Sequence, residues 1–255
     1  MEELNIKGLV VKAVDFGDND KLLTIVTEEK GKVSATVKGG KSLKSKFMSV
    51  SEPFTYASFG LRRTSKFFYL FDAELIDDFY PIREDLIKVS LASYICDIAS
   101  ELSLEGVEDE ALLKLTLNAL YALSYKDYSP DIVKGAYEFK SAVISGYMPE
   151  ISACSVCGKE PSDDSFIDAA AGTLICSDCM TLPQEKTGIK TTSVVLPLTK
   201  TALSALRYLE EAPIQRFLSF RLNGDVKVFS NVCEKYLTCH LEKDFYTLSF
   251  YKTLK

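Results

Sequence analysis

The stretch CSVCGKEPSDDSFIDAAAGTLICSDC, residues 154–179, holds four of the chain's seven cysteines. They form two C-x-x-C pairs, Cys154 with Cys157 and Cys176 with Cys179, and eighteen residues lie between the pairs. In such a pair both sulfurs can turn towards one ion, and a second pair completes a tetrahedron of thiolates around Zn2+. The gap lies within the usual range for this pattern. Gly158, directly after the first pair, fits a tight knuckle. One structural zinc on Cys154, Cys157, Cys176 and Cys179 is therefore expected, against four unmetallated thiols or a redox pair. A redox dithiol needs one C-x-x-C only, and nothing around these pairs resembles a thioredoxin βαβ unit. Four protein ligands leave no open position for water, which argues against a catalytic zinc. A zinc deaminase would carry H-x-E ahead of a P-C-x-x-C. Here His240-Leu241-Glu242 follows both pairs, neither pair follows a proline, and His240 is the chain's single histidine.

An odd cysteine count with four at metal spacing fits a reducing compartment and not a disulfide framework. The N-terminal MEELNIKGLV is acidic first and strand-like next, without a signal pattern, so an intracellular location is expected. No apolar run approaches the roughly 18 residues of a membrane helix. The 255 residues allow one to three domains.

The net charge of −6 argues on its face against nucleic acid, but the charge is patterned. Between residues 30 and 66 stand nine cations, Lys30, Lys32, Lys38, Lys41, Lys44, Lys46, Arg62, Arg63 and Lys66, opposed by Glu52 alone. Between residues 150 and 185 stand seven acids and one Lys159. The first stretch has the electrostatic footprint of a phosphate-binding surface. The second opposes phosphate contact, so the cysteine module reads as a structural clip or a protein–protein surface.

Residues 1–80 read as five strands. KLLTIVTEEKGKVSATVKG is a hairpin turning at Gly31, where positive φ is useful. Val33, Ala35 and Val37 alternate with Ser34, Thr36 and Lys38, one face buried and one wet. Five strands with the basic connection Lys38-Gly39-Gly40-Lys41 suggest a small barrel, the OB-fold first. Phe47, Phe59, Phe67, Phe68 and Tyr69 could stack bases there or fill the core. After Pro81 the period becomes helical. Ile87, Leu91, Ile95, Ile98 and Leu102 form one stripe, a second helix covers about 109–125, and a third runs from Asp131 to Ser145, stopped by Gly146. Past residue 190 the pattern is helical again, with Val226, Phe229, Val232, Cys233, Tyr236, Leu237 and His240 on one face. His240 is expected to be packed, and Cys96, Cys233 and Cys239 to be buried, inert thiols. The expected class is α+β and multidomain: an OB-fold barrel over 1–80, helices over 81–150, a four-cysteine zinc module over 151–185 inserted into the helical domain, and helices again over 186–255. There is no P-loop and no dinucleotide glycine fingerprint, and no enzymatic activity is expected. Two rival readings stay open at this level: a zinc-stabilised interaction scaffold whose lysines are merely solvated, and an RNA-binding barrel.

The order of parts resembles the RecO family of bacterial DNA repair proteins over nearly the whole chain. GLVVKAVDFGDNDKLLTIVTEEKGKVSATVKGGKSLKSK is similar to the family's opening barrel, GYMPEISACSVCG to the helix end leading into its first zinc knuckle, and GTLICSDC to the second. The resemblance implies a recombination mediator that binds single- and double-stranded DNA and anneals complementary strands. It implies contact with the C-terminal tail of single-stranded-DNA-binding protein, and action with RecR that lets RecA load onto coated DNA. It also implies a cytoplasmic, nucleoid-associated location. Lys38, Lys41, Lys44 and Lys46 fall in what looks like the family's basic connection after the third strand, and Arg62 and Arg63 in the next hairpin.

Overall fold

The structure, a computed structural model, describes residues 3–64 and 67–255. Packing separates two compact units, Met1–Asp127 with Phe245–Lys255, and Tyr128–Asp244. The first is built on five strands: β1 (Glu3–Phe16), β2 (Asp20–Thr27), β3 (Gly31–Val37), β4 (Tyr56–Arg63) and β5 (Phe68–Asp77). They close a barrel in the order β1-β2-β3-β5-β4, antiparallel except for the β3–β5 pairing. This is the OB-type barrel that the alternation predicts. Val33, Ala35 and Val37 point inward as expected, and Leu23, Phe59 and Leu61 meet them in the core. Thr36, expected on the wet face, is buried where β3 meets β5 through the Thr36–Tyr69 pair. β1 shifts register between Val10 and Lys12. A bulge of this kind bends a strand, and β1 pairs with both β2 and β4.

Helices complete this unit. Pro81 lies in a short 3-10 turn, Tyr80–Glu84, rather than in the helix proper. The helix α1 (Leu86–Leu102) starts one residue later, at Asp85, whose carboxylate accepts from the Ile87 and Lys88 amides at 2.8 and 3.2 Å. Such a cap satisfies donors that the first turn leaves open. α2 (Glu110–Tyr125) follows. The β2–β3 hairpin is docked on the connection between these helices: Asp109 N donates to Glu28 O at 2.8 Å and Gly106 N to Lys30 O at 2.9 Å.

Gly31, at φ +55°, turns this hairpin. A Cβ there would overlap Leu104 O and come within 2.6 Å of Val107 O. Gly31→Ala is therefore expected to cost more than the roughly 1–2 kcal/mol of a left-handed backbone alone. A lower urea midpoint at unchanged slope would report it; an unmoved midpoint would mean that the docked hairpin yields without cost.

The second unit runs through α3 (Pro130–Ile144), β6 (Glu150–Cys154), β7 (Ser165–Asp168), β8 (Thr173–Cys176), α4 (Ser177–Met180), α5 (Gln184–Thr187), β9 (Val195–Leu198), α6 (Lys200–Glu211) and α7 (Val226–Leu241). Gly146 ends α3 at φ +94°, with Tyr147 N donating to Ala142 O at 3.0 Å, as the sequence suggests. The four strands form a sheet in the order β6-β8-β7-β9 that the hydrophobic pattern does not announce. The α7 stripe packs against α3, and Gly135 lets the Phe229 ring approach: a Cβ at 135 would sit 2.7 Å from its Cε1. His240 is packed as expected, its Nδ1 2.8 Å from Tyr236 O and its ring against Tyr147 and Tyr236. Cys96 and Cys233 are buried, and burial pushes both thiols up. Cys239 is only partly buried, short of the expectation.

Two cations lie inside this unit. Lys134 is 2% exposed and reaches Glu138 at 3.0 Å and Glu234 at 2.9 Å. Lys140 donates to the last carbonyls of α6, Leu209 O at 2.8 Å and Glu210 O at 3.1 Å, where a positive charge meets the helix dipole. After α7 the chain returns to the first unit as α8 (Tyr246–Thr253), which packs on α1. No helix among the described residues is long and apolar enough to cross a membrane.

Candidate metal centre and nucleic-acid interface

The four cysteines converge. β6 ends on Cys154, and β8, which pairs with it in parallel, ends on Cys176. Gly158, at φ +71°, closes the first knuckle by donating its amide to Cys154 O at 2.9 Å, and this turn presents Cys157. The single turn of α4 brings Cys179 round beside Cys176. All four sulfurs lie within 4.8 Å of one another. A tetrahedron of sulfurs about 2.3 Å from a central Zn2+ has edges of about 3.8 Å. The Cys157 and Cys176 sulfurs are 3.8 Å apart, far beyond a disulfide bond, and all seven cysteines are free thiols.

The electrostatics suit a cation. Burial opposes ionisation of Cys154, but amides of Cys176, Cys157 and Val156 outweigh it and bring the thiol down to about 6. Burial and the neighbouring sulfurs push Cys179 up. One thiolate thus forms readily while its neighbour resists, and only a cation at the centre lets all four ionise together. Cys154 and Cys179 are buried, Cys176 is half-buried and Cys157 is exposed. The donor set fits a metal ion with no position left over. A depression of about 260 Å3 beside the sulfurs is lined by Glu160, Asp163, Asp164 and Asp178. Its carboxylates leave the module as unsuited to phosphate as its linear charge suggests.

On the barrel, the nine cations do not form one patch. Lys30 and Lys32 lie at the β2–β3 end, against the helices, where Lys32 Nζ donates to Ser100 O at 2.7 Å. Arg62 and Arg63 close β4, where Arg62 pairs with Glu3 at the start of β1, and Lys38, Lys41, Lys44 and Lys46 belong to the end opposite Lys30 and Lys32. There the β3–β4 connection is laid on the β1–β2 turn, with Lys41 N donating to Asn19 O at 3.1 Å and Gly39 N to Asp20 at 3.0 Å. Lys66 lies outside the described residues.

The cations at this rim form a chain of contacts around β5. Lys38 lies 5.4 Å from the Tyr69 ring centre, and Tyr69 is the register partner of Arg62. Arg62 lies 4.9 Å over Phe71, and the carbonyl of Phe71 accepts from Lys46 Nζ at 3.2 Å. Arg63 stands 5.6 Å from Phe68. Of the five aromatics singled out in the sequence, Phe59 and Phe47 are core. Phe67 is 53% exposed, and Phe68 and Tyr69 are half-buried. Phe71, half-buried beside the bulge between Gly60 and Leu61, is a further aromatic at these cations that the sequence reading passes over.

Carboxylates outside the basic stretch meet three of its cations: Asp20 pairs with Lys38 at 2.7 Å, Asp15 with Lys41 at 3.4 Å and Glu3 with Arg62 at 2.7 Å. The hydrogen bond to Asp20 holds Lys38 above its usual pKa. Glu52, the one acid inside the stretch, pairs instead with Lys21 at 2.6 Å. Residues 1–79 as a whole carry twelve Lys and Arg against twelve Asp and Glu. The barrel is neutral, and its basic character is local. Among the described residues, the Lys44 side chain has neither a hydrogen bond nor an ion pair, and Lys46 meets no carboxylate. Lys7 and Lys12, exposed on β1, add cations that the count from residue 30 passes over.

Two family models match the chain, Recombination protein O N terminal over residues 1–79 and Recombination protein O C terminal over residues 83–248. The chain belongs to the RecO family. The boundary between the two matches falls in the 3-10 turn where barrel gives way to helices. RecO relatives align from end to end. The DNA repair protein RecO of Acetivibrio thermocellus is 31% identical over all of this chain and 98% of its own length. That of Caldanaerobacter subterraneus is 29% identical over 98% of each chain, and that of Myxococcus xanthus 30% identical over 90% and 91%. The family is one of DNA repair proteins, and this RecO chain carries its barrel, its helices and a four-cysteine cluster.

Proposed function

We propose that this RecO protein is a non-enzymatic mediator of DNA repair and homologous recombination. It binds single- and double-stranded DNA on the barrel and anneals complementary strands. With RecR it helps RecA load onto DNA coated by single-stranded-DNA-binding protein, whose C-terminal tail it contacts. Its place is the bacterial cytoplasm, at the nucleoid. The observation that carries the reading is the match of both RecO models across the chain. The β3–β4 connection supports it, because Lys44 and Lys46 are exposed there without a carboxylate partner among the described residues. A cation that is not already paired can neutralise phosphate, release counterions and let two like-charged strands approach. Backbone contacts of this kind carry no base code, so sequence preference is low. The metal of the four cysteines is one Zn2+, and its role is to hold β6, β8 and α4 together.

Fluorescence anisotropy of a labelled single-stranded oligonucleotide across a salt series tests this. Binding should be steep in salt and indifferent to sequence. Replacing Lys44 and Lys46 by glutamine should flatten the log–log slope by about 1.4, at roughly 0.7 per lost contact. The same substitution at Lys38, already held by Asp20, should flatten it less. No binding at low salt by the folded, metal-loaded protein would sink the reading and leave a protein-binding scaffold.

A further inference from the structure

The β3–β4 connection carries more than charge. Leu43, at 88% exposure, is the most exposed large hydrophobic side chain among the described residues. It is not on a loose loop. It occupies the second position of a turn in which Ser45 N donates to Ser42 O at 2.9 Å, and Ser42 Oγ accepts from Lys44 N at 3.2 Å. Further turns follow, with Met48 N on Ser45 O at 3.1 Å and Val50 N on Phe47 O at 3.2 Å. Phe47 and Val50 are rooted in the barrel core. On the other side the connection is tied down by Lys41, whose Nζ donates to Gly17 O at 2.9 Å. The tip is thus built and held, and it presents a branched apolar side chain to solvent between Lys41 and Lys44, with Lys46 close behind.

An isolated exposed leucine needs no explanation. An exposed leucine on a braced turn, with the exposed Lys44 and Lys46 just after it, has the chemistry of a wedge. The ammonium groups of Lys44 and Lys46, which meet no carboxylate among the described residues, draw the phosphates of a strand alongside the tip, and the apolar side chain then faces the bases. Proteins that open base steps use side chains of this type between stacked bases. Building on the DNA-binding reading above, we propose that Leu43 inserts between neighbouring bases of a bound single strand and unstacks them. The bases on either side of it are turned outward and made available to a complementary strand. The lysines hold the backbone, and Leu43 parts the stack.

The chain contains no tryptophan, so Leu43→Trp places a single indole at the tip. Titrated with an oligothymidylate at low salt, its emission should fall at least twofold, saturating together with the anisotropy of the labelled oligonucleotide. An indole placed at another exposed position, by Tyr246→Trp on α8, should not be quenched. In the otherwise unaltered chain, Leu43→Ser should weaken single-strand binding by up to about tenfold, a value at the low end for one stacked base. It should leave the salt slope unchanged, because no phosphate contact is lost. With an oligonucleotide containing 2-aminopurine, it should also abolish the rise in base fluorescence that accompanies unstacking. Binding by anisotropy with unmoved indole emission overturns the wedge and leaves the DNA reading standing. Equal quenching at both indole positions, or an undiminished 2-aminopurine signal with Leu43→Ser, overturns it as well. Absence of binding altogether removes the DNA reading, and the wedge with it.

Discussion

Cys176→Ser is expected to release the metal and unfold the strand pair that holds it. The hydrophobic cluster at the site is small: Ile175 with the cysteines, and Val156, Phe166, Met180 and Ile189 only partly buried around them. Ile151 of β6 and Leu174 of β8 are buried in the core, but the apolar contact around the sulfurs is too small to hold the ends of these strands by itself. A metal on the four sulfurs would supply the difference, because site and fold form together; apparent zinc affinities of small structural sites are about 10–16 kcal/mol. The expected readout is metal content falling from one equivalent to none, with loss of amide protection in β6 and β8. The barrel belongs to the other unit, so the salt-dependent binding of a single strand should survive. A Cys176→Ser protein that kept its metal and its melting temperature would contradict the assignment of Cys176 as a ligand.

Lys134→Met should cost about 3–5 kcal/mol, the usual consequence of leaving a buried charge without its partner. The ammonium is enclosed between Glu138 and Glu234, and Ser230 Oγ lies 3.4 Å away. Burial alone would lower its pKa, but the two carboxylates outweigh burial and hold it above the usual value. The sign of the pH dependence follows. A group whose pKa is raised by folding contributes fully below its unfolded value, about 10.4 for lysine, and the contribution is lost as the pH rises through the folded value. The wild-type advantage over Lys134→Met should therefore be flat through neutral pH and shrink only above about 10.4. Urea melts of both proteins at pH 7 and at pH 11 would measure it. Replacing all three charges with apolar residues of similar volume should recover most of the loss, because the desolvation of all three then disappears. A triple variant no more stable than Lys134→Met would show that the network is tied to groups beyond these three.

The barrel was legible because its strands are long and alternate. Val33, Ala35 and Val37 declare an inner face, and Gly31 declares the turn. The four clustered cysteines were legible because C-x-x-C spacing is itself a geometry. The sheet that carries them was not: SFID, TLIC and VLPL are too short to show a period, and Pro197 argues against a strand except at an edge, which is where β9 lies. Helical stripes were found at α1 and α7, but a stripe says that a face is buried and not against what. Nothing in the periodicity of α1 shows that α8 covers it. The basic stretch was legible as a run of cations and misleading as a net charge. Asp15, Asp20 and Glu3 reach Lys41, Lys38 and Arg62 through strand register and a shared turn, and a count along the chain ignores both.

The course of the chain through its two units also bears on the order of assembly. The barrel strands and α1 are made early, yet the face of α1 that holds Tyr94 and Asp97 waits for Phe245 and Thr247, whose contacts are 5.4 Å between ring centres and 2.7 Å between oxygens. Every residue of the unit with the four-cysteine cluster is synthesised in between. On the ribosome, that second unit can be finished and metal-loaded while the first still has an open flank. The earliest part of the molecule is thus the last to be sealed, and a chain stopped before Phe245 would leave it unsealed however well its cysteines were filled.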